Sequence, residues 1–292
     1  LDQLKRHWET LRPGAGASTR EDGKAFLRLI AQLSPHVRKS EKTRGLSLEQ
    51  LVARSVDLGD RITPQTQKRI LSQVSHFLDW AVYEGQLADM PFKSIRLDQK
   101  IKVASYSPPT NEEVGQLLGA EDPRIGQVML FCLLSGMRAG EAAGLLREDV
   151  INKGNLGCFA HIRPNRVRLL KTDAAERFIP LHLELMDLLR VLPAEGELFP
   201  DVSVPVITKG FAKLRNQLGL ERPGLVFHST RKWFITQCER TGVPEHFTAS
   251  LVGHQSARSE NRLTYGIYSA GISDEQKRSI VDGIHLPEAT VA

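Results

Sequence analysis

Ser105-Tyr106-Ser107-Pro108-Pro109-Thr110-Asn111-Glu112-Glu113 divides the chain. Successive prolines remove backbone donors and bar the preceding residue from helical geometry, so no helix passes through Pro108-Pro109. Thr110 followed three residues later by Glu113 forms a capping box that opens a new helix. The stretch before it, from Leu97, shows no apolar period. Within the 292 residues this predicts a helical domain over residues 1–96, a linker over 97–109 and a second domain over 110–292.

Upstream of the divide, Thr63-Pro64 places a cap before a proline at the first helical position. Ile70, Leu71, Val74, Phe77, Leu78, Ala81 and Val82 then recur at helical spacing up to Gly85. Lys68, Arg69, Ser72 and His76 fall off that stripe. Weaker helices are predicted over 21–33 and 47–58. Downstream, helices are predicted over 123–134, 139–146, 183–192, 206–218, 230–241 and 273–283. Strands are predicted over 158–162, 167–170 and 178–181. The fold class expected is mainly α with a small antiparallel β-sheet.

Charge points to a polyanionic partner, though weakly. The formal net charge is +5, and residues 1–100 hold 17 Lys/Arg against 12 Asp/Glu. The remaining 22 basic and 22 acidic residues cancel, so the surplus sits in the first part. Cys132, Cys158 and Cys238 show neither a disulfide framework nor metal-ligand spacing and read as free thiols of a reducing cytoplasm. The longest apolar run, residues 128–134, is too short to cross a bilayer, and no signal peptide is visible. The chain begins at Leu1 rather than a methionine, which leaves room for an upstream domain.

Five features of the second domain can carry chemistry. In Leu134-Ser135-Gly136-Met137-Arg138-Ala139-Gly140-Glu141 a glycine turn delivers Arg138 to the start of a helix, where its planar fork can grip two phosphate oxygens. Glu141, one turn on, can hold that guanidinium. Lys171 lies in a turn between two predicted strands, mobile enough to protonate a leaving oxygen. His228-Ser229-Thr230-Arg231 sets a histidine and an arginine on one face of a helix. Gly253-His254 closes a further helix. Leu263-Thr264-Tyr265-Gly266-Ile267-Tyr268-Ser269 supplies two tyrosines, poor nucleophiles with a usual pKa of about 10 unless cations favour the phenolate. Taken singly, each is more simply a surface pair, a hairpin lysine, a structural histidine or a core tyrosine.

In this order the features resemble the motif series of the tyrosine recombinases, the phage integrase family. The motifs span residues 134–271. Asp89-Met90-Pro91-Phe92-Lys93 is similar to the Asn-Pro-Phe segment that often ends the family's core-binding domain, and the helical first part looks like that domain. The resemblance implies a helical core-binding domain plus a mixed α/β catalytic domain with a C-terminal helix. It implies that Arg138 and Arg231 clamp the scissile phosphate, that Lys171 is the general acid, and that His228 and His254 assist proton transfer. Thr264-Tyr265-Gly266-Ile267-Tyr268-Ser269 is similar to the family's Thr-Phe-Gly-x-Tyr-Ser pattern, which favours Tyr268 as nucleophile and Tyr265 as the packing aromatic. Two positions depart from the pattern. Lys232-Trp233 stands where a histidine and a small polar residue are usual, and the interval from His254 to Tyr268 is a few residues long.

The activity implied is site-specific DNA recombination through a 3′-phosphotyrosyl bond, with no cofactor, metal or ATP. The implied partner is double-stranded DNA, gripped in part by Lys68, Arg69 and His76. A homotetramer on paired DNA sites is implied too, in the cytoplasm with the nucleoid and not at a membrane. A segment beyond the tyrosine docks onto a neighbour in the family. Here residues 273–283 can do that or pack on their own subunit. A non-catalytic DNA-binding protein and a type IB topoisomerase are the alternatives, and a metal-dependent nuclease is the weakest, because no carboxylate cluster accompanies the basic set.

Overall fold

A computed structural model describes residues 20–37, 43, 45–87, 89–90, 92–93, 95–97, 106–120, 122–170, 175–254 and 271–290. The chain forms two compact units divided between residues 103 and 104.

Among the described residues the first unit is helical. Its elements are α1 (Arg20–Ala31), α2 (Leu48–Val56) and α3 (Pro64–Tyr83). Ser47 caps α2 through a reciprocal box with Gln50, and the Thr63 side chain accepts from the Thr66 amide ahead of Pro64. The apolar stripes of the three helices meet in a core of Phe26, Ile30, Leu51, Leu71, Leu78 and Phe92. Burying each such side chain stabilises the unit by about 2 kcal/mol. Ser55 lies inside this core with both hydrogen-bond roles filled. It donates to the Leu51 carbonyl at 2.7 Å and accepts from the Ser34 amide at 2.9 Å. Lys68, Arg69, Ser72 and His76 are exposed on α3.

The second unit comprises α4 (Asn111–Leu118), α5 (Pro123–Ser135), α6 (Ala139–Ala143), β1 (Val150–Asn152), β2 (Cys158–Ile162), β3 (Arg177–Pro180), α7 (Met186–Val191), α8 (Val204–Gln217), α9 (Ser229–Arg240), α10 (Glu245–Val252) and α11 (Asp274–Asp282). The strands form one antiparallel sheet in the order β1-β2-β3, with Val150 opposite Ala160 and Ile162 opposite Arg177. Helix α5 is apolar nearly all round and is correspondingly central, with Val128, Met129, Phe131, Cys132 and Leu134 wholly buried and α9 packed along it. It stops at Gly136, whose left-handed backbone (φ 65°) closes the helix. A Cβ there would lie 2.6 Å from Phe234, so only glycine allows α9 to come this close. Helix α11 opens on a Ser273–Gln276 capping box and buries Val281 in the core of its own unit, joined there by Ile284 just beyond the helix. Lys153–Asp274 at 2.6 Å and Arg278 Nη2 donating to the Leu181 carbonyl at 2.9 Å tie it to the sheet side. Burial pushes the thiols of Cys132 and Cys238 up, the latter to about 11, so neither is a thiolate at neutral pH.

Several elements differ from expectation. The strand predicted over 167–170 is absent. Instead a turn is closed by an isolated Asn165–Arg168 bridge, with Val167 and Leu169 exposed and Arg168 buried. The apolar alternation there faces solvent because Arg168 is drawn inward by carboxylate and carbonyl partners. The sheet's third strand is β1, three residues long and too short for a periodic signal. The helix predicted over 139–146 ends at Ala143, and the one over 183–192 begins as a 3₁₀ turn, Leu183–Leu185. Residues 106–108 of the predicted linker are bonded to the second unit. Ser107 N–H donates to the Gly224 carbonyl at 3.0 Å, and Arg222 Nη2 donates to the Pro108 carbonyl at 2.7 Å. Among the described residues, no helix is long and apolar enough to cross a membrane.

Candidate active site

The end of α5 and the turn at Gly136 bring Arg138 to the residue that precedes α6, in extended geometry (φ −76°, ψ 153°). Glu141 then reaches back. Its carboxylate accepts from the Arg138 amide at 2.9 Å and from Arg138 Nη1 at 2.7 Å. Two further arginines converge on it. Arg177, at the start of β3, donates from Nη1 and Nη2 at 3.2 and 2.8 Å, and Arg231, one turn into α9, comes within 4.0 Å. Three guanidiniums from distant parts of the sequence thus surround one carboxylate.

The same arginines cap the C-terminus of α10, whose last carbonyls have no helical partner. Arg177 Nε donates to the Leu251 carbonyl at 2.6 Å, Arg231 Nη2 to that of Val252, and Arg138 Nη2 to that of Gly253 at 3.4 Å. Arg231 Nη1 also donates to the Gly136 carbonyl at 2.7 Å. Gly253 adopts φ 66°, and a Cβ there would lie 2.9 Å from Arg177 Nη1, so glycine is required for this approach. His254 follows directly and is exposed, as is His228 at the start of α9.

The cluster carries an excess of positive charge. Burial alone would raise the Glu141 carboxyl, but hydrogen bonds and charge from Arg177, with the Arg138 amide and guanidinium, overcome it and hold the group down at about 2. One permanent negative charge therefore faces three positive ones. Arg231 shows the excess: burial first, then Arg138, push it down to about 9, still protonated at neutral pH. Burial and then Arg231 and Arg138 lower both His228 and His254, which favours neutral imidazoles. A neutral imidazole can donate one proton and accept another. Arg138, partly exposed, and the two histidines form the open side of the cluster.

The structure brings together five of the residues predicted from sequence: Arg138, Glu141, His228, Arg231 and His254. Lys171, Tyr265 and Tyr268 lie outside the described residues. Lys68, Arg69 and His76 belong to the first unit. Arg177 was not predicted. Its signal was present in the two-residue period of Arg177-Phe178-Ile179, which puts Arg177 on the inward face with Ile179, where a charged residue needs a partner.

A profile of the phage integrase family matches residues 110–265, more than half of the chain. The integrase of Escherichia phage P2 is 27% identical over 212 residues, covering 71% of this chain and 57% of that protein, so the chain spans little more than half the length of this relative. Lambda integrase, solved as a dimer bound to a COC′ core site, matches with a TM-score of 0.59 at 16% identity over 87% of this chain and 86% of that one. The integrase of transposon Tn1549, in complex with a circular intermediate DNA, gives 0.59 at 14% identity over 94% and 90%. At those identities the structural likeness is one of fold. The profile match covers more than half of the chain, and its span encloses the whole arginine cluster: the chain belongs to the phage integrase family of tyrosine recombinases.

Proposed function

We propose that this chain is a site-specific DNA recombinase that cleaves and rejoins strands through a 3′-phosphotyrosyl intermediate. The observation that carries the reading is the convergence of Arg138 and Arg231 on Glu141, with more positive than negative charge and two histidines on the open side. Such a site favours a phosphodiester, and favours still more the extra negative charge of its pentacoordinate transition state.

In this reading the Tyr268 oxygen attacks phosphorus while Arg138 and Arg231 hold the non-bridging oxygens. The bond to the 5′ oxygen breaks, and that oxygen takes a proton from Lys171. His228 and His254 donate hydrogen bonds to the phosphate and pass the tyrosine proton on. The phosphotyrosyl bond keeps the energy of the broken ester, so attack by a second 5′ hydroxyl completes exchange without ATP or a metal ion. Double-stranded DNA is the substrate, held on one side by α3 through Lys68, Arg69 and His76, and four subunits act on two paired sites. Each lysine or arginine contact to phosphate makes binding more sensitive to salt.

The test is to incubate the chain with DNA from its genomic neighbourhood, trap covalent complexes in detergent and map the adduct by mass spectrometry. An adduct on Tyr268, lost in Tyr268→Phe and kept in Tyr265→Phe, is the expected result. An adduct on Tyr265 would transfer the nucleophile's role. Salt-sensitive binding to a specific fragment without any adduct would sink the catalytic reading. Relaxation of supercoils without exchange between sites would identify a topoisomerase.

A further inference from the structure

Residues 106–108 are fastened at three successive points. Lys232 Nζ donates to the Tyr106 carbonyl at 2.5 Å, Ser107 N–H donates to the Gly224 carbonyl at 3.0 Å, and Arg222 Nη2 donates to the Pro108 carbonyl at 2.7 Å. Arg222 is itself gripped by Glu113 through two hydrogen bonds of 2.5 and 2.8 Å. The Tyr106 backbone therefore has a fixed place beside the start of α9. From there its ring meets the imidazole of His228 edge to face, with centroids 5.9 Å apart and planes at 63°, within the preferred range for aromatic pairs.

The charged and titratable groups acting on His228 are Arg231 and Lys232 from α9 and Arg138 from the residue before α6, with His254 beyond α10 close enough to couple to it. These are cationic or titrate towards a cation, and among the described residues they act on the imidazole through charge. Tyr106 meets it through a ring contact.

We propose that Tyr106 is a positioning residue for His228, held in place by the fastened segment 106–108. The proposal rests on the reading of His228 as a phosphate-facing group. It adds that segment 106–108, which the second unit holds through Lys232, Gly224 and Arg222, is part of the site's support, so that its release changes the setting of His228.

The test uses the full chain with selectively labelled histidine, comparing wild type, Tyr106→Ala and Tyr106→Phe, with His228→Gln to assign the resonance. In DNA-free protein, Tyr106→Ala is expected to move the His228 ring signals and raise their titration midpoint, because an aromatic cover is removed from the imidazole. Tyr106→Phe, which keeps the ring, is expected to leave both in place. Single-turnover formation of covalent complex should fall by about tenfold in Tyr106→Ala, a fraction of what a proton-transfer group contributes, and return in Tyr106→Phe. Arg222→Ala, which releases the Pro108 carbonyl, should move the His228 signals in the same direction and less far. If the His228 signals and midpoint coincide in wild type and Tyr106→Ala, the proposal is overturned, whatever happens to the rate. If wild type forms no adduct with any DNA, the recombinase reading fails, while the resonances still decide whether Tyr106 sets His228.

Discussion

Two buried carboxylates organise the second unit, and they do it differently. Asp149, fully buried, accepts from Arg163 Nε and Asn165 Nδ2 at 2.8 Å each and from the Leu146 amide at 3.2 Å, with Arg168 at 3.6 Å. Glu141 gathers Arg138, Arg177 and Arg231. Arg168 bridges the two, donating to the Glu141 main-chain carbonyl at 2.7 Å. Around Asp149 the two arginines part ways: its hydrogen bond makes the partly exposed Arg163 guanidinium hold its proton more tightly than usual, while burial lowers Arg168. Around Glu141 burial and crowding push Arg231 down as well. The two knots differ in number and in setting: Glu141 gathers three arginines against two at Asp149, and the exposed His228 and His254 lie beside the Glu141 group alone among the described residues.

The comparison breaks or sharpens under four experiments. The largest effect is expected from Arg231→Ala, which should slow covalent-complex formation by about a thousandfold, in the range for removing a group that stabilises transition-state charge. It should also lower the unfolding midpoint, since the Gly136 and Val252 carbonyls lose their donor. Asp149→Ala should destabilise the fold by about 3–5 kcal/mol, because Arg163 and Arg168 are left without their anion. Measured on folded protein at low temperature, its cleavage rate should stay within about twofold of wild type, small beside the effect at a transition-state contact. A thousandfold loss in Asp149→Ala would erase the distinction between the two clusters.

A third effect is set by acid. The Glu141 carboxyl sits at about 2 when folded against an ordinary 4.5, so the unfolded chain binds more protons between those values and stability rises with pH across the window. The contribution, about 3 kcal/mol, is fully present above pH 4.5 and is lost as pH falls towards 2. Urea unfolding at pH 6, 4 and 3 should show this loss in wild type and a shallower one in Glu141→Gln. The smallest effect is anion binding. Vanadate at ten times its dissociation constant should stabilise the protein by about 1.4 kcal/mol. Thermal shift should show this in wild type and in Arg163→Ala but not in Arg138→Ala.

Much of the architecture was legible because it rests on local rules. The Thr63-Pro64 start of α3, the Thr110–Glu113 and Ser273–Gln276 boxes and the bounds of β2 follow from capping chemistry and periodicity. The apolar stripe of α3 also marked off Lys68, Arg69 and His76 as exposed. What was illegible depends on partners far away in sequence. Val167 and Leu169 look like strand residues, yet the inward residue is Arg168, held by Asp149 and the Glu141 carbonyl. Arg177 was passed over for the same reason, since its partners lie 36 and 74 residues away. The ordered motif series announced Arg138, His228, Arg231 and His254, but not that Glu141 would draw three arginines rather than one. Nor did the prolines at 108–109 reveal that the segment before them is bonded to α9 and its preceding loop.

The three arginines that cap α10 have a consequence for how this protein can decay. Each is committed twice, to the Glu141 carboxylate and to a main-chain oxygen of Leu251, Val252 or Gly253. A copy released from selection on DNA exchange can replace the surface histidines His228 and His254 at little cost to folding. It cannot discard Arg177 or Arg231 without stranding the carbonyls that close α10. Descendants that have lost the proposed chemistry should therefore keep these arginines longer than the two histidines, so that His228 and His254 together with the arginines are the stronger sign of a working site.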